Sequence, residues 1–159
     1  EARETIEITS FYFKPVPALM DALVEAATRG VLVDVYHSHR EALPATDLAW
    51  IASAAGFEQL LSSGVRIFEN RHGEHSKIIL VDRTRVAFGS YNFEDAAHDR
   101  LAEAMLASRD HHLVTPAASI FDGLQQDPDN VIVTPATMAA LPGSLRRRLA
   151  LYGRFKRWM

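Results

Sequence analysis

Hydrophobic positions in the first part of the chain alternate between two spacings, and this predicts strands and helices in turn. Residues 6–13 are rich in β-branched and aromatic side chains and stop before Pro15, which is typical of a strand. Residues 16–27 carry apolar side chains at helical spacing, and Gly30 closes this segment. Residues 31–36 are mostly apolar, as buried strands of parallel sheets are. The chain therefore begins with a strand–helix–strand unit.

The pattern then repeats once and changes. Residues 46–63 are predicted to be helical, with Gly56 as the candidate break, and 65–68 to be a strand, so two crossovers follow each other. Beyond them the pattern predicts, in chain order, strands at 76–81, 85–88 and 101–107, a helix at 116–125, an edge strand at 131–133 and a final helix at 145–159. We therefore predict an α/β fold with a mixed, mostly parallel β-sheet flanked by helices.

Composition is that of one ordered globular domain. The chain has 159 residues, of which 48% are apolar and 23% charged. It has no cysteine, which excludes disulfides and thiolate metal sites. No apolar run approaches the ~20 residues of a membrane-spanning helix. We predict one domain over residues 1–159 and, because the chain begins with Glu1 rather than methionine, we expect it to belong to a longer protein.

The net charge of −3 conceals an uneven distribution. Residues 145–159 contain six of the 17 basic residues and no acidic one, which leaves 11 basic against 20 acidic residues elsewhere. An acidic body is a poor general binder of nucleic acid. Residues 143–159 are predicted to form a basic C-terminal helix with an apolar side. Docking on the protein and contact with an anionic membrane surface both remain open for this helix.

A set of polar residues and one glycine inside the strand-rich stretch carries the candidate chemistry. Its members are His75, Lys77, Asp82, Gly89, Ser90 and Asn92. The imidazole of His75 suits a nucleophile or a general acid near neutral pH. Lys77 leaves the same face of the strand, where its charge can meet the non-bridging oxygens of a phosphate. The pair indicates phosphodiester chemistry without a metal, and we predict no cofactor.

The other positions are given supporting roles. Gly89 allows a backbone or a ligand to approach closely, and Asn92 can donate hydrogen bonds to phosphate oxygens. Ser90 is predicted to bind phosphate with it. Asp82 leaves the opposite face and is expected to support the turn. Glu103, on the next strand candidate, is expected to orient His75 by accepting its other ring N–H.

The pattern His75-x-Lys77-x4-Asp82-x6-Gly89-Ser90-x-Asn92 resembles the HKD motif of the phospholipase D superfamily. The resemblance extends upstream through residues 11–15, 26–31 and 60–65. These segments are similar to the second half of two-motif members such as cardiolipin synthases, and Glu103 falls where the family has its histidine-orienting glutamate.

The resemblance implies a two-step transfer through a phosphohistidine. The histidine of one motif attacks phosphorus, the histidine of a second motif protonates the leaving alkoxide, and water or another alcohol then displaces the phosphoryl group. It leaves open which role His75 takes. Since one motif is present, it implies a second HKD half, either upstream in the same chain, which we favour, or in a second copy across a two-fold axis.

Three functions remain open. The first is a phosphodiesterase or phosphatidyltransferase acting on phospholipids, of the phospholipase D or cardiolipin-synthase type, and cytoplasmic, either free or peripheral at the inner membrane face. The second is a metal-independent, endonuclease-type phosphodiesterase working as a homodimer, against which the acidic body counts. The third is an inactive HKD scaffold, against which the intact His75 and Lys77 count.

The other histidines suggest a metal site at first sight. Without cysteine or a clear carboxylate pattern, they are predicted to be loop residues instead. His37 and His39 follow the second strand, whose carboxyl end is where ligands bind in open sheets. They are therefore candidates for the mouth of the pocket.

Overall fold

The predicted strand–helix–strand units form the centre of the structure. The computed structural model describes residues 1–43 and 47–155. Within them the strands are β1 (Thr5–Ser10), β2 (Leu32–Ser38), β3 (Arg66–Asn70), β4 (Ile78–Val81), β5 (Arg85–Gly89), β6 (Met105–Ser108) and β7 (Asn130–Val133). The helices are α1 (Pro17–Thr28), α2 (Asp47–Ala54), α3 (Phe57–Ser62), α4 (Asp95–Asp99), α5 (His111–Gln126), α6 (Pro135–Ala139) and α7 (Gly143–Phe155), with a short 3₁₀ turn at Arg40–Ala42.

The strands form one sheet in the order β6-β5-β4-β1-β2-β3-β7. β1 pairs in parallel with β2, and β2 with β3, whereas the other four pairings are antiparallel. The mixed α/β fold is confirmed, but parallel pairing is confined to three strands, so "mostly parallel" is corrected. The reason is connection length: three residues separate β4 from β5, and a parallel connection needs a dozen or more.

Element boundaries differ from the prediction at a few places. α5 begins at His111 rather than at Pro116, because the Asp110 side chain accepts a hydrogen bond from His112 N and caps the helix. β4 and β6 begin later than predicted, at Ile78 and Met105. Residue 46 and residues 156–159, which were predicted to be helical, lie outside the described residues.

Two apolar cores lie on opposite faces of the sheet. Val33 and Val35 of β2 belong to the core beneath α1, α2 and α3. Tyr36 belongs to the other core, where its ring centroid lies 6.0 Å from that of Phe121 on α5. Alternate side chains of β2 therefore enter both cores, which explains why this strand is apolar along most of its length.

Asp82 ties the beginning of β1 to the turn between β4 and β5. Its carboxylate accepts hydrogen bonds from the backbone N–H groups of Arg3 (3.0 Å), Glu4 (2.8 Å) and Thr5 (3.1 Å). Burial is the largest influence and raises the pKa of Asp82, but the three donors and the charge of Arg85 together outweigh it, so the pKa is lowered. The structure thus places Asp82 at the end of β4 that lies away from His75.

Asp82→Asn is expected to destabilise the fold by about 2 kcal/mol, because the amide accepts fewer of the three backbone hydrogen bonds and carries no charge. Asparagine tolerates the positive φ of 50° at this position, so backbone strain does not change. Urea denaturation at pH 7 measures the loss. The difference in unfolding free energy between Asp82→Asn and the parent should become smaller below about pH 4, where the aspartate of the unfolded chain is protonated. Asp122→Asn, which removes an exposed ion pair with Arg83, is the control and should cost below about 1 kcal/mol.

α7 docks on the body of the protein. Leu145 lies in the first core, and Leu149 and Tyr152 pack against that core. Arg148 Nη1 lies 2.9 Å from Asp47 Oδ2. Leu151 is 53% exposed. Docking on the protein therefore explains why the side of α7 that carries Leu145 is apolar.

Candidate active site

His75 and Lys77 lie on the extended segment that leads from β3 into β4. β4 runs antiparallel to β1, so this segment lies at the carboxyl end of β1, where Thr9 pairs with Ile78. Ser76 Oγ donates to Thr9 Oγ1 (2.7 Å), and Thr9 Oγ1 also accepts from Ile78 N (3.0 Å). The backbone that carries the two side chains is thus anchored to β1.

The two side chains contact each other and share an aromatic neighbour. Lys77 Nζ lies 3.3 Å from His75 Nδ1 and donates to the His75 backbone oxygen at 2.6 Å. The Phe11 ring centroid lies 4.7 Å from that of His75 and 5.9 Å from Lys77 Nζ, within range of a cation–π contact. His75 is exposed and Lys77 is 8% exposed. An imidazole and an ammonium therefore project side by side.

The ammonium contact bears on the protonation of His75. An ammonium can only donate, so Nδ1 accepts from Lys77 and the proton of the neutral ring is then on Nε2. Attack by Nε2 on phosphorus requires the proton on Nδ1, and an imidazolium acid carries protons on both nitrogens. Either role therefore requires Lys77 to turn from Nδ1 to another acceptor.

Burial has the largest effect on Lys77 and lowers its pKa. The negative charges of Glu74, Glu103 and Glu94 act in the opposite direction. These carboxylates favour the charged ammonium, which is the form that binds a phosphate oxygen. The surroundings of Lys77 thus combine partial removal from water with carboxylates that support its charge.

Ser90 and Glu103 are joined across the end of β5. Ser90 Oγ donates to the Glu103 carboxylate and accepts from Ala104 N at 3.1 Å. Gly89 permits this approach, because a Cβ there would stand 1.9 Å from Ala104 O. The structure thus brings Glu103 onto Ser90, and the hydrogen bond from His75 to Glu103 stays a prediction.

Asn92 lies two residues beyond Ser90. Its Oδ1 is buried and has no hydrogen-bond partner among the residues that the structure describes. The next residue is fixed, because Phe93 N donates to Ser10 Oγ at 3.3 Å and its oxygen accepts from Lys14 N at 2.8 Å. The unused atom of Asn92 is thus an acceptor, whereas a hydrogen bond to a phosphate oxygen would need its Nδ2 donor, and the role of Asn92 with phosphate stays a prediction.

A cleft of about 590 Å³ opens beside His75. This volume lies within the usual range of ligand sites. Its polar end carries His75, Lys77 and Ser90. The rest, which we call the apolar groove, is lined by Ile78, Phe88, Leu113, Pro116, Ala117 and Ile120. The candidate catalytic side chains thus stand at one end of an apolar groove between the sheet and α5.

His37 and Glu69 form a buried polar pair on β2 and β3. Neither ring nitrogen of His37 has a hydrogen-bond partner among the described residues, and its Nε2 lies 3.7 Å from Glu69 Oε1, which accepts from Trp50 Nε1. Burial lowers the pKa of His37 to about 3, with help from His39, and raises the pKa of Glu69 to about 7 against the effect of Trp50. The expectation that His37 lines the pocket mouth is wrong, because its ring packs against Phe57 in the core.

Glu69→Gln is expected to remove a pH dependence of stability. The raised pKa means that Glu69 stabilises the fold at low pH and that this contribution is lost as the pH rises from about 4.5 through about 7. Between pH 5 and 8 the parent should lose about 2–3 kcal/mol of unfolding free energy relative to the variant, while His37 is common to both. Urea denaturation across this range measures the difference. Glu58 is exposed on α3, so Glu58→Gln should show the same dependence of unfolding free energy on pH as the parent. The prediction would be contradicted if the unfolding free energy of Glu69→Gln changed with pH in parallel with that of the parent.

His39 is partly buried and is not among the described residues that line the cleft, so its expected place at the pocket mouth is wrong as well. His72, His98, His111 and His112 are exposed. His72 Nε2 is 2.6 Å from Asp129 Oδ2. Asp110, His111 and His112 present possible ligand atoms within 4.8 Å of one another, and all three residues are exposed. Asp110 is already engaged as the cap of α5. We assign no metal to this exposed group.

Comparisons with known proteins agree with the geometry. The model of the family described as cardiolipin synthase, PLD-like domain, matches residues 1–125. A cardiolipin synthase of Halalkalibacterium halodurans is 36% identical over 94 residues, 58% of this chain and 18% of the relative. Cardiolipin synthase A of Pseudomonas aeruginosa is 34% identical over 110 residues, 69% of this chain and 22% of the relative. The chain thus spans about a fifth of the length of these relatives.

A solved structure extends the comparison to the fold. Nuc from Salmonella typhimurium, a phospholipase D family member, superimposes with a TM-score of 0.68 at 26% identity, and the match covers 84% of each chain. A mixed sheet with a His-x-Lys segment at the end of β1 defines a phospholipase D-like domain. This chain belongs to the family of PLD-like domains of cardiolipin synthase, within the phospholipase D superfamily.

Sequence reasoning missed two parts of the site. The first is Phe11, whose signal was the aromatic run at 11–13 directly after a strand. The second is the side of α5 that faces the cleft. Its signal was four apolar positions at helical spacing, but a helix predicted to begin at Pro116 leaves out the first of them.

Proposed function

We propose that this chain supplies one half of a phosphodiester-transfer site that acts through a phosphohistidine, with phospholipids as substrates and phospholipase D or phosphatidyl-transfer activity as the result. The observation that carries the proposal is the contact between His75 and Lys77 at the polar end of the cleft. An imidazole supplies the reacting nitrogen or the acid, and an adjacent ammonium supplies charge for the phosphate oxygens.

The proposed phosphoryl transfer has two steps. A histidine nitrogen forms a bond to phosphorus while the P–O bond to the leaving alcohol breaks, and the histidine of the other half gives that oxygen a proton. Water or a second alcohol then gives a proton back to the histidine of the other half. The oxygen of that water or alcohol bonds to phosphorus as the bond from phosphorus to the first histidine breaks. His75 takes one of these two roles. Asn92 is proposed to donate hydrogen bonds to the phosphate from Nδ2, and Ser90 to donate one when its hydroxyl turns away from Glu103.

Substrate binding is proposed to prepare His75 for its role. A phosphate oxygen offers Lys77 a new acceptor, which frees His75 Nδ1. That nitrogen can then carry a proton and donate a hydrogen bond to Glu103, which orients the ring and stabilises the imidazolium. Support comes from the present contact of Lys77 with Nδ1 and from the attachment of Glu103 to Ser90, which lines the same cleft.

The second HKD half is proposed to come from the same longer chain. The length of the cardiolipin synthases, of which this chain matches about a fifth, supports that arrangement. The length of Nuc supports the alternative of two identical copies, because the match covers 84% of that chain. This alternative is the arrangement on which the endonuclease-type function depends.

Peripheral contact with an anionic membrane surface through residues 145–159 is also proposed, in a cytoplasmic setting. Arg146 and Arg147 are exposed on α7, and Leu151 is exposed beside them. No helix in the described ranges is long and apolar enough to cross a bilayer. A basic surface of this kind is attracted to anionic headgroups.

Lys77→Met is expected to weaken the binding of inorganic phosphate to the 159-residue chain at least about tenfold, because it removes a charge-assisted hydrogen bond from the polar end of the cleft. NMR titration of the His75 ring signals measures the affinity. Lys14→Met, the same change outside the cleft, should alter the affinity by less than about twofold. Equal phosphate affinity in the parent and Lys77→Met would remove Lys77 from the proposed site.

A further inference from the structure

A second cavity lies at the opposite end of β5 from the cleft. It encloses about 860 Å³, which is within the usual range of ligand sites. Arg85 at the beginning of β5 lines this cavity, whereas Gly89 at the end of the same strand lines the cleft. The two positions are about 13 Å apart along the strand, and the two cavities share no lining residue. The second cavity is therefore separate from the candidate active site.

Arginines from four separate segments of the chain meet in this cavity, which we call the arginine pocket. They precede β1, end α1, open β5 and follow β6, and they are Arg3, Arg29, Arg85 and Arg109. Of the described residues that line the pocket, Glu1 and Asp82 carry the only negative charges. The lining thus has an excess of positive charge, although the net charge of the protein is −3.

Two of these arginines are held where their charges repel each other. β5 and β6 pair antiparallel with Val86 opposite Ser108, and one step further along the same register Arg109 lies opposite Arg85. Like charges directly opposite each other on paired strands are destabilising. The Arg109 guanidinium has no ion pair or hydrogen bond within residues 1–43 and 47–155. An anion between the two strands would remove this repulsion.

The carboxylates of the pocket do little to neutralise it. Asp82 accepts hydrogen bonds from three backbone N–H groups, which offset its charge, and it lies 3.5 Å from Arg85 Nη2. Glu1 is 77% exposed and its Oε1 is 3.7 Å from Arg29 Nη1. Contacts inside the described protein therefore leave the positive charge of Arg109 unpaired.

We propose that the arginine pocket binds a small anion that carries two or more phosphate groups. A guanidinium donates paired hydrogen bonds to phosphate oxygens, and two guanidiniums can share the oxygens of one phosphate. Four arginines on different sides of one cavity therefore match two adjacent phosphates. The concave shape favours a small ligand over a macromolecule. This inference does not depend on the proposed function.

Calorimetric titration with pyrophosphate tests the proposal, and it is carried out on the 159-residue chain with Lys77→Met so that the cleft does not contribute. Adding Arg109→Gln or Arg85→Gln should weaken pyrophosphate binding at least about tenfold, because each removes charge-assisted hydrogen bonds. The Tm of Arg109→Gln should not fall, since this side chain has no partner to lose among the described residues. Arg71→Gln, exposed after β3 and outside both cavities, is the matched control and should change the affinity less than about twofold.

The outcomes separate the arginine pocket from the cleft. Without Lys77→Met, Arg109→Gln should leave phosphate binding at His75, followed by NMR, within about twofold of the parent. Pyrophosphate binding that Lys77→Met abolishes would belong to the cleft and would overturn the pocket. Equal pyrophosphate affinity with and without Arg109→Gln and Arg85→Gln would overturn it too. Inorganic phosphate binding as tightly as pyrophosphate would contradict the assignment to paired phosphates, and a polyglutamate peptide binding more tightly would assign the pocket to an acidic protein segment instead.

Discussion

Replacing His75 with asparagine in the assembled enzyme, with both HKD halves present, should lower turnover by about 10⁴-fold or more. The reason is that in the proposed mechanism the imidazole either forms the bond to phosphorus or protonates the leaving oxygen, and an amide can do neither near neutral pH. The amide oxygen can still accept the hydrogen bond that Lys77 makes to Nδ1, so inorganic phosphate affinity should stay within about threefold of the parent. Release of the alcohol from a labelled phosphodiester measures turnover.

His72→Asn is the matched control for this variant. His72 is exposed, lies three residues before His75 and contacts Asp129 rather than the cleft. Turnover of His72→Asn should remain within about threefold of the parent. Phosphate trapped on His75 in the parent, detected by mass spectrometry after rapid acid-free quenching, would identify it as the nucleophile, and trapping on the other half would identify it as the acid. Undiminished turnover in His75→Asn would remove it from the mechanism.

The second large effect is expected from Gly89→Ala, which should destabilise the fold by about 3 kcal/mol and lower the Tm by about 10 °C. A Cβ at this position would stand 1.9 Å from Ala104 O and 2.9 Å from Met105 Cα, and both are backbone atoms that cannot rotate away. Relief requires β6 to move off β5. That movement also breaks the hydrogen bond from Ser90 N to Ala104 O, now 3.0 Å, so phosphate affinity should fall together with stability.

Gly123→Ala is the control, and it should raise the Tm where Gly89→Ala lowers it. Gly123 lies inside α5, and a Cβ there would meet nothing within 4 Å. Alanine in a helix interior is favoured over glycine by about 0.5–1 kcal/mol, so the Tm should rise by about 1–4 °C. Differential scanning calorimetry measures both variants. A Tm for Gly89→Ala within 2 °C of the parent (about 0.5–1 kcal/mol) would show that β6 yields without cost.

The strand–helix–strand opening was predictable because its signals are local. Residues 31–36 are apolar on both faces, and β2 is indeed buried between two helical layers. The direction of the later strands was less predictable. β4 and β5 could be recognised as strands, but their antiparallel pairing with β1 and with each other is decided by contacts between distant residues. Local hydrophobic spacing carries no information about such pairing.

The start of α5 shows the same limit at a smaller scale. Proline in a first helical turn is a common signal, and it places the helix start at Pro116. The helix actually starts at His111, five residues before Pro116. It starts there because the Asp110 side chain accepts a hydrogen bond from His112 N. This shift adds Leu113 to the helix and so completes the wall of the apolar groove.

The sequence by itself determined the chemical groups of this protein and their class: an imidazole and an ammonium two residues apart, a glycine and a serine at the end of a strand, and an α/β domain of the phospholipase D superfamily to hold them. Only the tertiary structure decided that Lys77 faces His75 Nδ1, that Glu103 is bound to Ser90, that His37 is sealed in the core and that an apolar groove opens beside the site. The physical reason is that side-chain identity and spacing are written along the chain, whereas burial, proton position and cavities arise where segments far apart in sequence pack together.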